Sequence, residues 1–256
     1  MNSTDNALSG RRIAVLAADG FEQTQLDTPA AALRDAGATT TVVSLRAGRI
    51  RGMHTHQPGE LVRVDTTLDR TAAADYDGLF VPGGYISPDL LRQSAPARDF
   101  VRAFDAAGKP LALLAQAPLV LVSAGCARGR IVTAWPGVRD DVVNAGATWR
   151  NEAVVHDAHL LSGRGSQDLG AFVPALLALM AGEPDVAAVA VERTVEAASS
   201  DPPQDAPVEP PNQSLRWLAA PSFGTMLSLA LLGVGVVAAQ RARSRPPAEP
   251  DASAPD

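Results

Sequence analysis

The sequence has 256 residues, of which 46% are hydrophobic and 4% are aromatic. A chain of this length can hold one sizeable α/β domain and still have residues left over. Its formal net charge of −6 offers no basic field for nucleic acid, so no nucleic-acid partner is expected. The single cysteine, Cys126, excludes an intrachain disulfide framework and a cysteine-rich metal site. No metal and no cofactor are expected.

Residues 11–184 show strand and helix patterns in alternation, behind a polar segment, residues 1–10, that is expected to be disordered. Ile13–Ala18 is a continuous apolar run, which is typical of a buried parallel strand. Short links between alternating strands and helices predict a doubly wound, mostly parallel α/β sheet. The predicted elements are strand 13–18, helix 25–36, strand 39–45, a hairpin within 46–65, strand 79–81, helix 88–107, strand 111–114, helix 118–124, strand 131–134, helix 137–145, paired strands 153–156 and 159–162, and helix 169–181.

The central feature is the stretch Pro110–Pro118, where the apolar run Leu111–Leu114 passes at once into helix-compatible residues. A strand that leads directly into a helix requires a tight turn, and Ala115 lies at that turn. In α/β proteins such a turn at the carboxyl end of a strand commonly displays a nucleophile. A methyl group stands there in this chain, which argues against nucleophilic catalysis.

The sequence changes character after Pro184. Residues 185–216 are expected to form a linker rich in proline and acidic residues, and residues 241–256 a disordered tail. Between them, Trp217–Gln240 contains no charged residue and is long enough for a single membrane-spanning helix. A buried core helix is the alternative, which the polar linker disfavours because it separates this segment from the domain.

The orientation of this segment is contested by the sequence. Arg241, Arg243 and Arg245 favour a cytoplasmic C-terminus. That arrangement would place the domain outside, although the polar N-terminus shows no export signal. A short tail is easier to translocate than a folded domain, so a single-pass membrane protein with a cytoplasmic domain is the favoured hypothesis.

Several ordered motifs resemble one known family. They are Asp19–Pro29, Val81–Gly84, Ser123–Arg130, Trp135–Asp141, Asn144–Gly146 and Ser162–Gly165. The sequence resembles the PfpI family of intracellular cysteine peptidases, which also holds the parkinsonism-associated deglycase and belongs to the class I glutamine amidotransferase-like superfamily. The resemblance covers about Arg11 to Glu183.

The resemblance implies a flavodoxin-like fold, often assembled as a dimer or hexamer, so a homo-oligomer is expected. It also implies a site with a cysteine at the elbow followed by histidine and glycine, a glutamate from the first loop, and backbone amides of a Gly-Gly turn that help to form an oxyanion hole. An acidic residue after that turn, contributed by a neighbouring subunit in some members, can orient the histidine.

Transferred to this sequence, the scaffold is kept but the reactive groups are not. The elbow cysteine, the histidine and the glycine correspond to Ala115, Gln116 and Ala117, and the first-loop glutamate corresponds to Gln25. The other pocket positions are Glu22, Gly83, Gly84, Asp89 as the orienting acid, and Trp135 as a pocket wall. Alanine cannot attack a substrate and glutamine cannot accept a proton at physiological pH.

Other chemically capable residues carry weaker signals. Cys126 is interpreted as a packing cysteine, and His54, His56, His156 and His159 as surface residues rather than metal ligands. Asp140, Asp141 and Arg139 are expected to cap and line a helix, Arg164 to form a structural ion pair, and Ser123 and Thr133 to lack an adjacent base.

Two functions remain open. The first is a membrane-anchored, catalytically degenerate PfpI-like domain that serves as a small-ligand-binding, regulatory or oligomerisation module. The second is an active PfpI-type hydrolase, deglycase or amidotransferase-like enzyme with an altered mechanism, in which Gln116, Glu22 and Asp89 orient a water molecule.

Overall fold

A computed structural model describes residues 7–182. Within this range twelve strands and six α-helices follow one another with short connections. The strands are β1 (Arg12–Leu16), β2 (Phe21–Glu22), β3 (Thr39–Ser44), β4 (Arg49–His54), β5 (Gln57–Arg63), β6 (Thr66–Thr67), β7 (Gly78–Val81), β8 (Leu111–Leu114), β9 (Ile131–Val132), β10 (Thr148–Trp149), β11 (Val154–Asp157) and β12 (Leu160–Gly163). The α-helices are α1 (Gln23–Asp35), α2 (Ser87–Gln93), α3 (Ala95–Ala106), α4 (Pro118–Ala124), α5 (Arg139–Asn144) and α6 (Leu169–Ala181).

The main sheet has seven strands in the order β11-β12-β8-β7-β1-β3-β6. All neighbours are parallel except β11, which runs antiparallel to β12 in the predicted hairpin. Strands β12, β8, β7 and β1 therefore lie side by side with their carboxyl ends at one edge, and the loops that follow them meet there. This edge positions the candidate site.

Two apolar cores cover the two faces of the sheet, which confirms the doubly wound arrangement. Alternate residues of one strand point to opposite faces, so Ala14 and Leu16 join the core beneath α2 to α5, whereas Ile13 and Val15 join the core beneath α1 and α6. This division explains why β1 appears as an uninterrupted apolar run rather than as an alternating pattern.

The single helix predicted over residues 88–107 is wrong, because the structure contains two helices that break at Ser94. Ser94 has extended backbone angles, and its hydroxyl accepts a hydrogen bond from the backbone N–H of Ala97 at 3.4 Å. Pro96 stands in the first turn of α3, where its missing N–H costs nothing, while inside a continuous helix its ring would clash with the preceding turn.

Two small sheets lie outside the main sheet. The predicted hairpin is present as β4 and β5, and the short β2 pairs with β4 to give the order β2-β4-β5. The strand predicted at 131–134 is shorter than expected, because β9 ends at Val132 and pairs with β10 in a separate two-stranded sheet.

The structure includes part of the N-terminal segment but not the segments predicted after residue 184. Residues 7–10, expected to be disordered, form a turn in which Leu8 is fully buried and its N–H donates to the carbonyl of Ala36. The predicted linker (185–216), the predicted span Trp217–Gln240 and the predicted tail (241–256) lie outside the described residues. Among residues 7–182, no helix combines the length and hydropathy that a membrane crossing requires.

Candidate functional site

The strand-to-helix corner lies where the sequence predicts it. Strand β8 ends at Leu114, α4 begins at Pro118, and Ala115 between them adopts φ = 54°, in the left-handed region that residues with a side chain seldom occupy. Its N–H donates to the carbonyl of Gly163 at 2.9 Å, and its carbonyl accepts from the N–H of Trp135 at 3.0 Å. The turn therefore has the strained geometry that displays a nucleophile in hydrolases.

The loop after β7 packs directly against this corner. A methyl group placed on Gly83 would lie 2.7 Å from the Cβ of Ala115 and 2.5 Å from Oε1 of Gln25, so only glycine fits there. Gly84 adopts φ = 122°, and a methyl group on it would lie 2.5 Å from the carbonyl oxygen of Gly20. Gly83 thus packs against the residue at the elbow, and Gly84 packs against the backbone of the loop that contains Gly20.

Both glycine amides are already hydrogen-bonded inside the domain. The N–H of Gly83 donates to Oε1 of Gln25 at 3.0 Å, and the N–H of Gly84 donates to Oε1 of Gln116 at 3.1 Å. Both glutamine side chains are buried, with exposures of 4% and 8%. The donors that would stabilise an oxyanion in a hydrolase therefore have carboxamide oxygens as their acceptors.

A small polar network continues from Gln25 into the loop after β12. Nε2 of Gln25 donates to Oγ of Ser166 at 2.9 Å, and this hydroxyl lies 3.5 Å from a carboxylate oxygen of Glu22. Glu22 is the N-cap of α1, and the same oxygen, Oε2, accepts the N–H of Gln25 at 2.7 Å. Its carboxylate is therefore engaged in holding the start of the helix.

Sequence reasoning missed Ser166, although a signal was present. The motif Ser162–Gly165 ends a strand next to β8, so the residue that follows it reaches the same edge of the sheet. The missed serine supplies the hydroxyl that accepts a hydrogen bond from Gln25.

The pocket positions predicted from the resemblance are brought together only in part. Ala115, Gln116, Gln25, Gly83 and Gly84 are linked by the contacts above. Ala117, which is fully buried, caps α4, and its N–H donates to the carbonyl of Leu114. Trp135 is half-buried and contacts the corner through its backbone.

Asp89, predicted as the orienting acid, has its contacts on α2. It occupies the first turn of α2, and its carboxylate accepts a hydrogen bond from Nε2 of Gln93 at 2.8 Å and lies 4.0 Å from Nε of Arg92. Its side chain is 55% exposed. The structure therefore gives Asp89 partners on its own helix rather than a contact with Gln116.

Cys126 follows the C-terminal end of α4, where its side chain packs against the core beneath α2 to α5, as predicted. Burial, with a smaller contribution from Asp105, raises the pKa of its thiol to about 11. A thiol of this kind is protonated at neutral pH and is a poor nucleophile.

The histidines do not form a metal site within residues 7–182, where no group of three or more candidate ligands comes together. His56 stacks on Tyr85 and His54 is exposed. His159, interpreted from the sequence as a surface residue, is largely buried at the turn between β11 and β12, and its Nε2 lies 2.9 Å from Oδ1 of Asp105.

The remaining candidates have structural contacts. Arg164 forms the expected ion pair, at 2.9 Å from Asp168. Asp140 and Asp141 lie in the first turn of α5, and the guanidinium of Arg139 lies 5.9 Å from the ring centre of Trp149. Ser123 lies on α4, and the hydroxyl of Thr133 donates to the carbonyl of Glu152.

Comparison with known proteins agrees with this architecture. A family model described as the DJ-1/PfpI family matches residues 11–179. The chain belongs to the DJ-1/PfpI family. A deglycase of Pyrococcus horikoshii is 34% identical over 169 residues, which are 66% of this chain and 99% of that protein. The protein/nucleic acid deglycase 2 of Escherichia coli is 37% identical over 165 residues, which are 63% of this chain and 93% of that protein.

Solved structures of DJ-1 and PfpI-like proteins have a similar fold. The crystal structure of Drosophila melanogaster DJ-1beta matches with a TM-score of 0.62 and 26% identity, and the match covers 68% of this chain and 91% of that one. The family relationship therefore spans the α/β domain and agrees with the flavodoxin-like fold predicted from the resemblance.

Proposed function

We propose that this chain is a membrane-anchored member of the DJ-1/PfpI family that has lost catalysis and serves as a small-ligand-binding, regulatory or oligomerisation module. The observation that carries the proposal is the corner itself, where Ala115 keeps the backbone of a nucleophile elbow but provides only a methyl group. Covalent catalysis needs a nucleophile with a base within hydrogen-bond reach, and neither Ala115 nor Gln116 supplies these groups.

The hydrogen bonds of the two glutamines support the same proposal. A substrate oxygen would have to displace the carboxamide of Gln25 from Gly83, or that of Gln116 from Gly84, before it gained a donor. In an active hydrolase these donors stand ready for the charge that develops in the transition state. A polar ligand that binds in this pocket would therefore exchange one hydrogen bond for another, which suits reversible binding better than rate acceleration.

A catalytic assay on the full chain tests the loss of activity. Wild type is compared with a variant that combines Ala115→Cys, Gln116→His and Gln25→Glu, with methylglyoxal consumption and peptide hydrolysis as readouts. We expect wild type to match its boiled control and the triple variant to exceed it. Adding Cys126→Ala to both proteins is the matched control, because the new activity must then depend on residue 115.

Turnover by wild type above the boiled control would reject this part of the proposal and favour the second function. That function is an active deglycase or hydrolase with an altered mechanism, and it is kept because both relatives above are named deglycases. In that mechanism Gln116, Glu22 and Asp89 must meet at one water molecule. Because Asp89 has its partners on α2 within its own chain, the second function requires Asp89 to come from a neighbouring subunit.

The membrane anchor is proposed from the uncharged segment Trp217–Gln240. A reporter fused after Asp256 tests the orientation: signal on the non-cytoplasmic side is expected, and cytoplasmic signal would contradict a cytoplasmic domain. Resistance of the full chain to alkaline extraction from membranes tests the anchor itself, with a chain ending at Arg216 as the control.

The proposed homo-oligomer is supported by exposed apolar side chains beside the Gly83–Gly84 turn. Tyr85, Ile86 and Leu90 are 53%, 47% and 37% exposed. Burying such side chains against a second copy would remove apolar surface from water. Sedimentation equilibrium in detergent is expected to show an oligomer for wild type and a smaller species for Leu90→Arg. An unchanged mass for Leu90→Arg would place the contact elsewhere.

A further inference from the structure

The outer surface of the β4–β5 hairpin concentrates positive charge in an acidic protein. Four arginines fall between residues 46 and 63, against one carboxylate, Glu60, although the whole chain has a formal net charge of −6. One of the four, Arg46, lies 2.7 Å from the carboxylate of Asp19. The other three, Arg49, Arg51 and Arg63, are exposed.

The strand register places these three arginines on one face with a leucine. Arg49 lies directly opposite Arg63, and Arg51 lies directly opposite Leu61. Side chains at opposed positions of an antiparallel pair, and those two residues apart along a strand, project from the same face. We call the set Arg49, Arg51, Leu61 and Arg63 the arginine face.

The arginine face is not neutralised by the part of the chain that the structure describes. Neither Arg49 nor Arg63 forms an ion pair there, and Arg51 donates from Nη1 to the backbone carbonyl of Gly59 at 3.0 Å. Like charges directly opposite each other on a sheet destabilise the pair. An arrangement that carries this cost is better suited to an external anion than to the stability of the hairpin.

Leu61, the apolar residue of the arginine face, helps to decide which kind of partner binds there. Leu61 is 45% exposed and lies on β5, an edge strand of the three-stranded sheet, opposite Arg51 and two residues before Arg63. A site for a free anion has no use for an exposed leucine. At a bilayer surface, arginines bind lipid phosphates while an apolar side chain enters the boundary with the acyl chains.

We propose that the arginine face is a docking surface for an anionic bilayer. The uncharged segment Trp217–Gln240 follows the domain in the sequence and would keep this face within reach of the membrane, so the inference rests on the proposed membrane attachment but not on the state of the catalytic corner. The hairpin is the second contact, and it holds the domain against the lipid surface rather than merely tethering it.

The expected contribution is large enough to measure. Basic residues near an anionic surface contribute about a fivefold gain in binding each, so three arginines give about 100-fold. The gain depends on charge and decreases as salt screens it. It is absent on neutral lipid.

Vesicle co-flotation of the full chain tests the proposal. All proteins carry Leu231→Asp and Val236→Asp, which interrupt the uncharged segment so that binding becomes reversible and does not depend on the anchor. The test variant combines Arg49→Gln, Arg51→Gln and Arg63→Gln. The matched control combines Arg34→Gln, Arg70→Gln and Arg128→Gln, three exposed arginines on other elements, so both variants lose the same charge.

On phosphatidylcholine vesicles with about 30% phosphatidylglycerol, we expect the test variant to bind about 100-fold more weakly than its parent and the control to stay within about threefold. On pure phosphatidylcholine the three proteins should not differ. The melting temperature of the test variant should equal or exceed that of its parent, because a like-charge pair is removed.

Equal loss in both variants would show a net-charge effect and overturn the proposal. So would retained vesicle binding by the test variant. Arginine-dependent binding to polyglutamate without binding to anionic vesicles would also overturn it, since the partner would then be an acidic polypeptide. Failure of the membrane anchor appears separately, as loss of alkali-resistant membrane association by the full chain without the two aspartate substitutions.

Discussion

The hydrogen bond from the Gly84 N–H to Gln116 can be tested by removing its acceptor and measuring the loss of stability. Gln116→Met keeps a side chain of similar volume and replaces the carboxamide, NH2 group included, by a thioether. The Gly84 N–H thereby loses its acceptor, Oε1, which lies 3.1 Å away in a side chain that is 8% exposed. A buried donor left without an acceptor costs about 1–3 kcal/mol of unfolding free energy. For a domain of this size that corresponds to a fall in melting temperature of about 2–12 °C.

Equilibrium urea unfolding of the full chain in a mild detergent, followed by far-ultraviolet circular dichroism, measures this difference. Gln93→Met is the matched control, because Gln93 is exposed on α2 and its loss should change the unfolding free energy by less than about 0.5 kcal/mol. If Gln116→Met and Gln93→Met are equally stable, water or another group accepts the hydrogen bond of the Gly84 N–H, and the inference that Gln116 is its required acceptor is refuted.

Three further outcomes are expected. Cys126 is the only cysteine in the chain, and it should react with a disulfide reagent at pH 8 about 100-fold more slowly than a free thiol, because its raised pKa of about 11 leaves little thiolate. The reaction rate should increase as the pH rises towards that pKa. A rate equal to that of glutathione at pH 8 would contradict the burial of the thiol. Ser87→Ala should cost about 1–3 kcal/mol in urea unfolding, because Oγ of the fully buried Ser87 accepts the N–H of Ala18 at 2.9 Å, whereas Ser123→Ala on α4 should have a smaller effect. Ala158→Gly should raise the unfolding free energy by about 0.5 kcal/mol, because exposed Ala158 has φ = 58°. Relief of this left-handed conformation exceeds the added entropy of glycine in the unfolded chain. A loss of stability would contradict the left-handed conformation of Ala158.

The sequence predicted the main sheet well because buried parallel strands leave a strong apolar signal. The run Leu111–Leu114 and the run from Ile13 are found as β8 and β1, and the corner at Ala115 lies between a strand and a helix as expected. Boundaries set by local capping were harder to predict. Pro96 suits both a long helix with a kink and the first turn of a new helix, and only the extended backbone at Ser94 decides between them.

The composition of the candidate site was predictable, but its hydrogen bonding was not. The resemblance to the PfpI family singled out Gln25, Gln116, Gly83 and Gly84, and the structure joins them through hydrogen bonds from the two glycine N–H groups to the two carboxamides. The hydrogen bonds from the two glycine N–H groups to the two carboxamide oxygens depend on the side-chain rotamers of the glutamines. A sequence pattern does not encode rotamers. Ser166 was missed for the same reason, because its role depends on a contact with Gln25 from a segment distant in sequence.

The main chain at Ala115 is held by Gly163 and Trp135 rather than by anything attached to its own Cβ. The direction of the Cα–Cβ bond at residue 115 should therefore stay the same when another small side chain replaces alanine. A thiol introduced there would start from a Cβ that lies against Gly83. Position 115 is thus a natural place from which to observe a ligand that binds beside Gly83.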